Sequence, residues 1–118
     1  MAKYVDGYVI PIKKKNVAKY KKMATIGKNT WMKCGALDYY ECVGDRLNVP
    51  YGVPFPKLCK LKPDETVIFA FIMYESKAHC NKVNKLVQKE FAAMSGQMEE
   101  MFSMKRFSAG GFKVLVKA

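Results

Sequence analysis

TVIFAFIMY, residues 66–74, decides the fold. Nine residues rich in β-branched and aromatic side chains, without glycine, proline or charge, read as a strand. Both of its alternating faces are apolar. Such a strand sits in the middle of a sheet and is covered on both sides. In front of it, KPDE (62–65) is a turn with Pro63 at the second position. Behind it, Ser76 caps a helix. On that helix His79, Val83, Leu86 and Val87 share a narrow arc, and Lys82, Lys85 and Lys89 form a row on the far side.

Working outward, KYVDGYVIPI (3–12) is a strand by composition, with Asp6 in its middle. Asn16 is placed to cap a helix over 17–34, because Val17, Tyr20, Ala24, Gly27, Trp31 and Cys34 recur at three and four residues. Gly35 suits its C-terminal cap. ALDYYECVGD (36–45) is a second strand. The connection 46–65 holds four of the five prolines and is long for a small domain; PFPKLCKLK within it reads as a short extended arm. The segment 91–109 is methionine-rich and irregular, and GGFKVLVK (110–117) is the last strand.

The order is βαββαβ, an α+β class. Two strand–helix–strand halves make a ferredoxin-like sandwich, with a four-stranded antiparallel sheet and both helices on one face. The first and third strands are then central. No further element of the chain is evident to cover the other sheet face, so a second copy is expected there: a homodimer through the sheet face, the dimeric α/β-barrel arrangement. An open face of Phe and Tyr would instead stack bases, as in the RNA-recognition fold of the same topology.

At 118 residues the chain is read as one domain, 1–118. No apolar run reaches bilayer-spanning length, and the lysines follow the first apolar stretch, the wrong order for a signal peptide. The expectation is a cytoplasmic protein with no membrane partner. Cys34, Cys42, Cys59 and Cys80 form no C-x-x-C pair and, with one histidine, no common zinc set, so small apolar filling is expected and neither metal nor cofactor. The net charge is +11, and nineteen of the 21 basic residues are lysine. Readers of nucleic acid use arginine for bidentate contacts, so a lysine surface speaks more for solubility, while still favouring polyanions.

YVDGYVIPI (4–12), CGALDYYECVGD (34–45), FPKLCKLKPDETVIFAFIMYESKAHCNKVN (55–84) and KRFSAGGFKVLV (105–116) together resemble the YbaA-like bacterial family of conserved proteins of unknown function. The resemblance covers nearly the whole chain in order. It implies the dimeric α/β-barrel fold and brings no reaction, cofactor or partner. The matching positions are Asp6-Gly7, Glu41 to Asp45, Ser76, Ala78, His79, Val83 and Asn84, then Lys105-Arg106 and Gly110 to Phe112. The chain departs at Arg46, Cys80-Asn81, Ser103-Met104 and Lys113, mostly where the family carries acids.

Among single residues, His79 and Asp6 are the best catalytic candidates. A histidine in the first turn of a helix is held neutral by the helix dipole and can serve as a general base. The plainer reading is a half-buried histidine bonded beside the helix start. A carboxylate in a central strand needs a partner: His79, Arg106 or a lysine. Trp31, Glu41, Asn84 and Arg106 are the binding candidates. For Trp31 the alternative is core packing, and for Glu41 a bond to a neighbouring lysine. Three functions compete: a small-molecule binder with its ligand in a helix–sheet cleft, with catalysis left open; a nucleic-acid module using the lysine-rich surface; and a structural dimer without ligand.

Overall fold

The computed structural model describes residues 2–93 and 105–118. Strands β1 (Tyr4–Lys13), β2 (Asp38–Val43), β3 (Glu65–Tyr74) and β4 (Ser108–Lys113) form one antiparallel sheet in the order β2-β3-β1-β4. Helices α1 (Val17–Lys33) and α3 (Lys77–Ala93) lie on one face, and a one-turn helix α2 (Phe55–Leu58) lies in the β2–β3 connection. This is the ferredoxin-like α+β fold, with β1 and β3 central as expected.

The strands' alternation explains the layering. Asp6, Tyr8, Ile10 and Ile12 of β1 and Ile68, Ala70, Ile72 and Tyr74 of β3 face the helices. There they pack on Tyr20 of α1 and on Cys80, Val83 and Val87 of α3. The arc expected on α3 is turned slightly: Cys80 is buried in place of Leu86, which is exposed. Ser76 Oγ accepts the His79 N–H at 3.0 Å and caps α3 as expected. Lys33 Nζ bonds Glu90 Oε1 at 3.0 Å and ties the two long helices together at the surface.

Several expectations are corrected. Asn16 makes no capping bond through its side chain; a 3-10 turn, Lys14–Asn16, runs directly into α1, so Asn16 already has helical backbone angles. Gly35 does end α1, with φ +114°, a conformation that side-chain-bearing residues rarely adopt. PFPKLCKLK is not an extended arm: Pro54 is extended and starts α2, and Pro56 occupies the early helical position where a missing N–H costs nothing. Strand β4 begins at Ser108, two residues earlier than read, and its apolar tail leaves the sheet, with Leu115 and Val116 exposed. Of the methionine-rich segment, residues 94–104 lie outside the described residues, whereas 91–93 complete α3.

The largest correction concerns the sheet face away from the helices. The 46–65 connection folds over one end of it, where Leu47 and Phe55 border a recess with Val9, Val67 and Phe69. Val67 is consequently only 3% exposed. The rest of that face stays open: Tyr40 is 49%, Phe69 48% and Phe112 60% exposed. Tyr40 stacks on Phe71 across the β2–β3 pair. The chain therefore covers part of this face by itself.

Candidate functional site

Two connected groups of polar side chains lie between the sheet and the helices. The first is centred on Asp6. Its Oδ2 accepts from the Asn84 amide at 3.1 Å, from the Tyr74 hydroxyl at 3.2 Å and from the Cys80 thiol at 3.3 Å. None of these donors is His79, Arg106 or a lysine, so the carboxylate is held by neutral dipoles and not by an ion pair. Asn84 also accepts, through Oδ1, the indole N–H of Trp31 at 3.1 Å. Indole can only donate and a carboxylate can only accept, so the Asn84 amide has one orientation that serves both. Burial, then the bond to Asp6, pushes the Cys80 thiol up to about 11. Cys80 is therefore a hydrogen-bond donor and not a nucleophile at neutral pH.

The second group is centred on Glu41. Tyr20 on α1 donates to one carboxylate oxygen and Tyr39, two residues back on β2, donates to the other. Burial first, then the bond to Glu41, drives both phenols far above their ordinary range, so both stay protonated donors. The expected lysine partner of Glu41 is not there: the ion pairs among the described residues are Lys33–Glu90 and Arg106–Glu65. Gly27 makes the closeness of Tyr39 possible. A Cβ at that position would come within 3.1 Å of the Tyr39 hydroxyl.

Beside Glu41 lies a cavity of about 200 Å3 between α1 and the sheet. Tyr8, Tyr20, Trp31, Tyr39, Phe91 and Phe107 supply its aromatic wall, and Ile10, Ala24 and Ile72 add apolar surface. Trp31 packs edge-on against Phe91, at 5.4 Å between ring centres, and tilted against Tyr39 at 5.9 Å. Trp31 thus joins the two groups: its N–H belongs to the Asp6 network and its ring to the cavity.

The other candidates lie elsewhere. His79 Nδ1 accepts the Glu75 backbone N–H at 3.0 Å, which leaves the ring proton on Nε2, and the ring meets Tyr74 edge-on. Tyr74 stands between His79 and Asp6, and its hydroxyl is what reaches the carboxylate. Arg106 forks onto Glu65 at 2.7 and 2.9 Å and also donates to the carbonyls of Cys59 and Lys60. Of the six residues singled out from sequence, the structure joins Asp6, Asn84 and Trp31 by hydrogen bonds and puts Trp31 and Glu41 on one cavity. His79 and Arg106 are not among the residues lining it. Tyr8, Tyr20, Tyr39 and Tyr74 were not singled out. Tyr20 was legible as an inward position of α1 and Tyr39 as sharing a strand face with Glu41, but nothing in sequence spacing shows that the two meet.

The fold and site define a ferredoxin-like α+β protein with an aromatic helix–sheet cavity holding one carboxylate. The family model described as "Protein of unknown function (DUF1428)" matches residues 3–105, and the chain belongs to that family. The uncharacterized protein YbaA of Escherichia coli (strain K12) is 28% identical over 116 residues, covering 97% of each chain, and YbaA of Shigella flexneri matches to the same extent. Among solved structures, the de novo designed protein Foldit4 aligns over 98% of this chain and 99% of its own, with a TM-score of 0.45 and 9% identity. Among the described residues, no helix is long and apolar enough to cross a membrane.

Proposed function

We propose that this protein is a cytoplasmic small-molecule-binding protein that works as a homodimer, each copy holding its ligand in the cavity between α1 and the sheet. The observation that carries this reading is the cavity itself: an aromatic wall around a single oriented carboxylate. Ligand sites have this composition, mostly apolar with a few placed polar groups. The volume is below the ~300–1,000 Å3 of drug-sized sites, so the ligand is small. Trp31, the sole tryptophan, reports on occupancy because its ring forms part of the wall. Titrating compact ligands while following its emission should give saturable changes. Ala24→Phe, which fills the cavity from the α1 side, should abolish them while leaving the thermal melt in place. Saturation unaffected by Ala24→Phe would place binding elsewhere and defeat the reading.

The dimer rests on the uncovered sheet face. Tyr40, Phe69, Phe71 and Phe112 form an apolar patch there, and patches of this kind mark association surfaces. The same face weighs against the nucleic-acid alternative. Among the described residues its strand positions carry a single cation, Lys13 at the far end of β1, whereas a base-stacking sheet needs several cations beside its aromatics to hold phosphate. Light scattering should give twice the chain mass, and Phe69→Glu should shift it to one. Cys42, exposed on this face, should react with a thiol reagent at least tenfold faster in the Phe69→Glu protein than in the dimer. Equal rates, or a monomeric parent, would rule out this interface.

A further inference from the structure

We infer that the cavity beside Glu41 takes a compact organic cation, an alkylated amine of the trimethylammonium class. The inference rests on the cleft reading above and names its ligand chemistry.

The first support is the wall. Tyr8, Tyr20, Trp31, Tyr39, Phe91 and Phe107 surround one space of about 200 Å3. Aromatic faces carry negative quadrupoles, and several of them around one volume attract a cation strongly once it is stripped of water. An ammonium fully substituted by methyl groups loses less on leaving water than a primary ammonium, and it needs no hydrogen-bond acceptors around it.

The second support is charge. Glu41 is the charged residue in the lining, and its two bonds come from neutral phenols. Those phenols fix the carboxylate's orientation without cancelling its charge, and each oxygen keeps a further lone pair for use. The lining of this cavity includes no lysine or arginine among the described residues, in a chain that carries 21 of them. An anion would meet the Glu41 carboxylate there with no cation among the described lining residues to offset it. A neutral apolar ligand would fit the wall but bring the carboxylate no counter-charge on the cavity side.

A third observation gives the site a direction. The far side of the Tyr20–Glu41–Tyr39 set opens into a wider recess of about 490 Å3, whose lining includes the exposed Lys21 and Lys28. Positive charge thus stands outside the carboxylate and aromatic surface inside. A cation is drawn to the inner side.

The test compares two probes of nearly equal shape on the unmodified protein. One is choline; the other is 3,3-dimethyl-1-butanol, in which carbon replaces the charged nitrogen. Trp31 emission is followed at constant ionic strength, with sodium chloride balancing choline chloride. Choline is expected to bind at least tenfold more tightly than the alcohol. Glu41→Gln, which keeps the side-chain shape and removes the charge, is expected to erase most of that preference. If the alcohol binds as well as choline, the cation inference is overturned and the cleft reading stands. If choline keeps its preference in Glu41→Gln, the role given to Glu41 is overturned and with it the inference. If neither probe perturbs Trp31, the inference is overturned, and the wider panel of ligands then decides the cleft reading separately.

Discussion

Asp6→Ala is expected to lower folding stability by about 3–4 kcal/mol, with the loss read from urea unfolding followed by Trp31 emission. One oxygen of this carboxylate accepts three donors, and two of them, Tyr74 and Cys80, sit on residues almost wholly out of solvent. Each buried donor left without a partner costs about 1–3 kcal/mol, and the acceptor left beside them is the Cys80 sulfur, 3.3 Å from the Asn84 amide and a weak one. Against a total of about 5–15 kcal/mol, the change removes a large share of the fold's margin. Asp6→Asn keeps one acceptor oxygen and should cost about half as much, because its amide hydrogens then face donors. Tyr74→Phe removes one donor and should cost about 1 kcal/mol alone, but little more when added to Asp6→Ala. That non-additivity is the signature of the network. A loss below about 1 kcal/mol for Asp6→Ala would mean that water already satisfies the three donors, and the network would be no more than proximity.

The same carboxylate shows what sequence reading reaches and where it stops. Asp6 is conspicuous in sequence because a charge in a central strand has to be satisfied, and three donors satisfy it in the structure. Its partners were not legible. Asn84 is 78 positions away, and the contact depends on the rotation of α3 about its axis. The periodicity placed that rotation one residue off, putting Leu86 inward instead of Cys80. The central strand TVIFAFIMY and the order of elements were legible because they follow from local patterns of two and 3.6. For Glu41, a place on an edge strand points to a bond with a neighbouring lysine. Burial decided otherwise: between α1 and the sheet a lysine would lose its hydration, whereas Tyr20 and Tyr39 bring a donor on an apolar ring. In the 46–65 connection, whose length already suggests structure of its own, only the extended arm over PFPKLCKLK is overturned. Four prolines argue against a strand or a long helix, but they do not exclude a single turn such as α2 that packs on a sheet.

Lowering the pH from about 4.5 to about 2 should remove about 2 kcal/mol of stability through Glu65, and Arg106→Ala should abolish that part of the acid sensitivity. The bidentate bond from Arg106, then the Lys62 backbone N–H, holds the Glu65 carboxyl down to about 2 from an ordinary 4.5. A carboxyl held low binds its proton more weakly when folded than when unfolded. Its contribution is therefore complete above 4.5, shrinks as protons add to the unfolded chain's favour, and is gone below about 2. The full shift corresponds to about 3 kcal/mol, reduced here because the Arg106 side chain is 30% exposed and partly screened by water. Glu65 itself keeps only 6% of its side chain in solvent, so stripping its partner at neutral pH leaves a charge with few alternatives. Arg106→Ala should thus cost about 3 kcal/mol at pH 7 and show a flatter stability profile below pH 4.5 than the parent. Arg106→Lys should recover less than half, because an ammonium cannot fork onto the carboxylate and still reach the carbonyls of Cys59 and Lys60. This separates two roles for Arg106. As a clamp it fixes the end of the 46–65 connection against the start of β3, and its loss loosens the cover over Val67 while choline binding at the α1 cavity stays within twofold. As a ligand contact it would do the opposite, weakening binding with stability and acid profile intact. The guanidinium is used by Glu65 and the carbonyls of Cys59 and Lys60, and Arg106 is not among the residues lining the cavity, which favours the clamp, so the binding site is to be sought at Glu41 and Trp31.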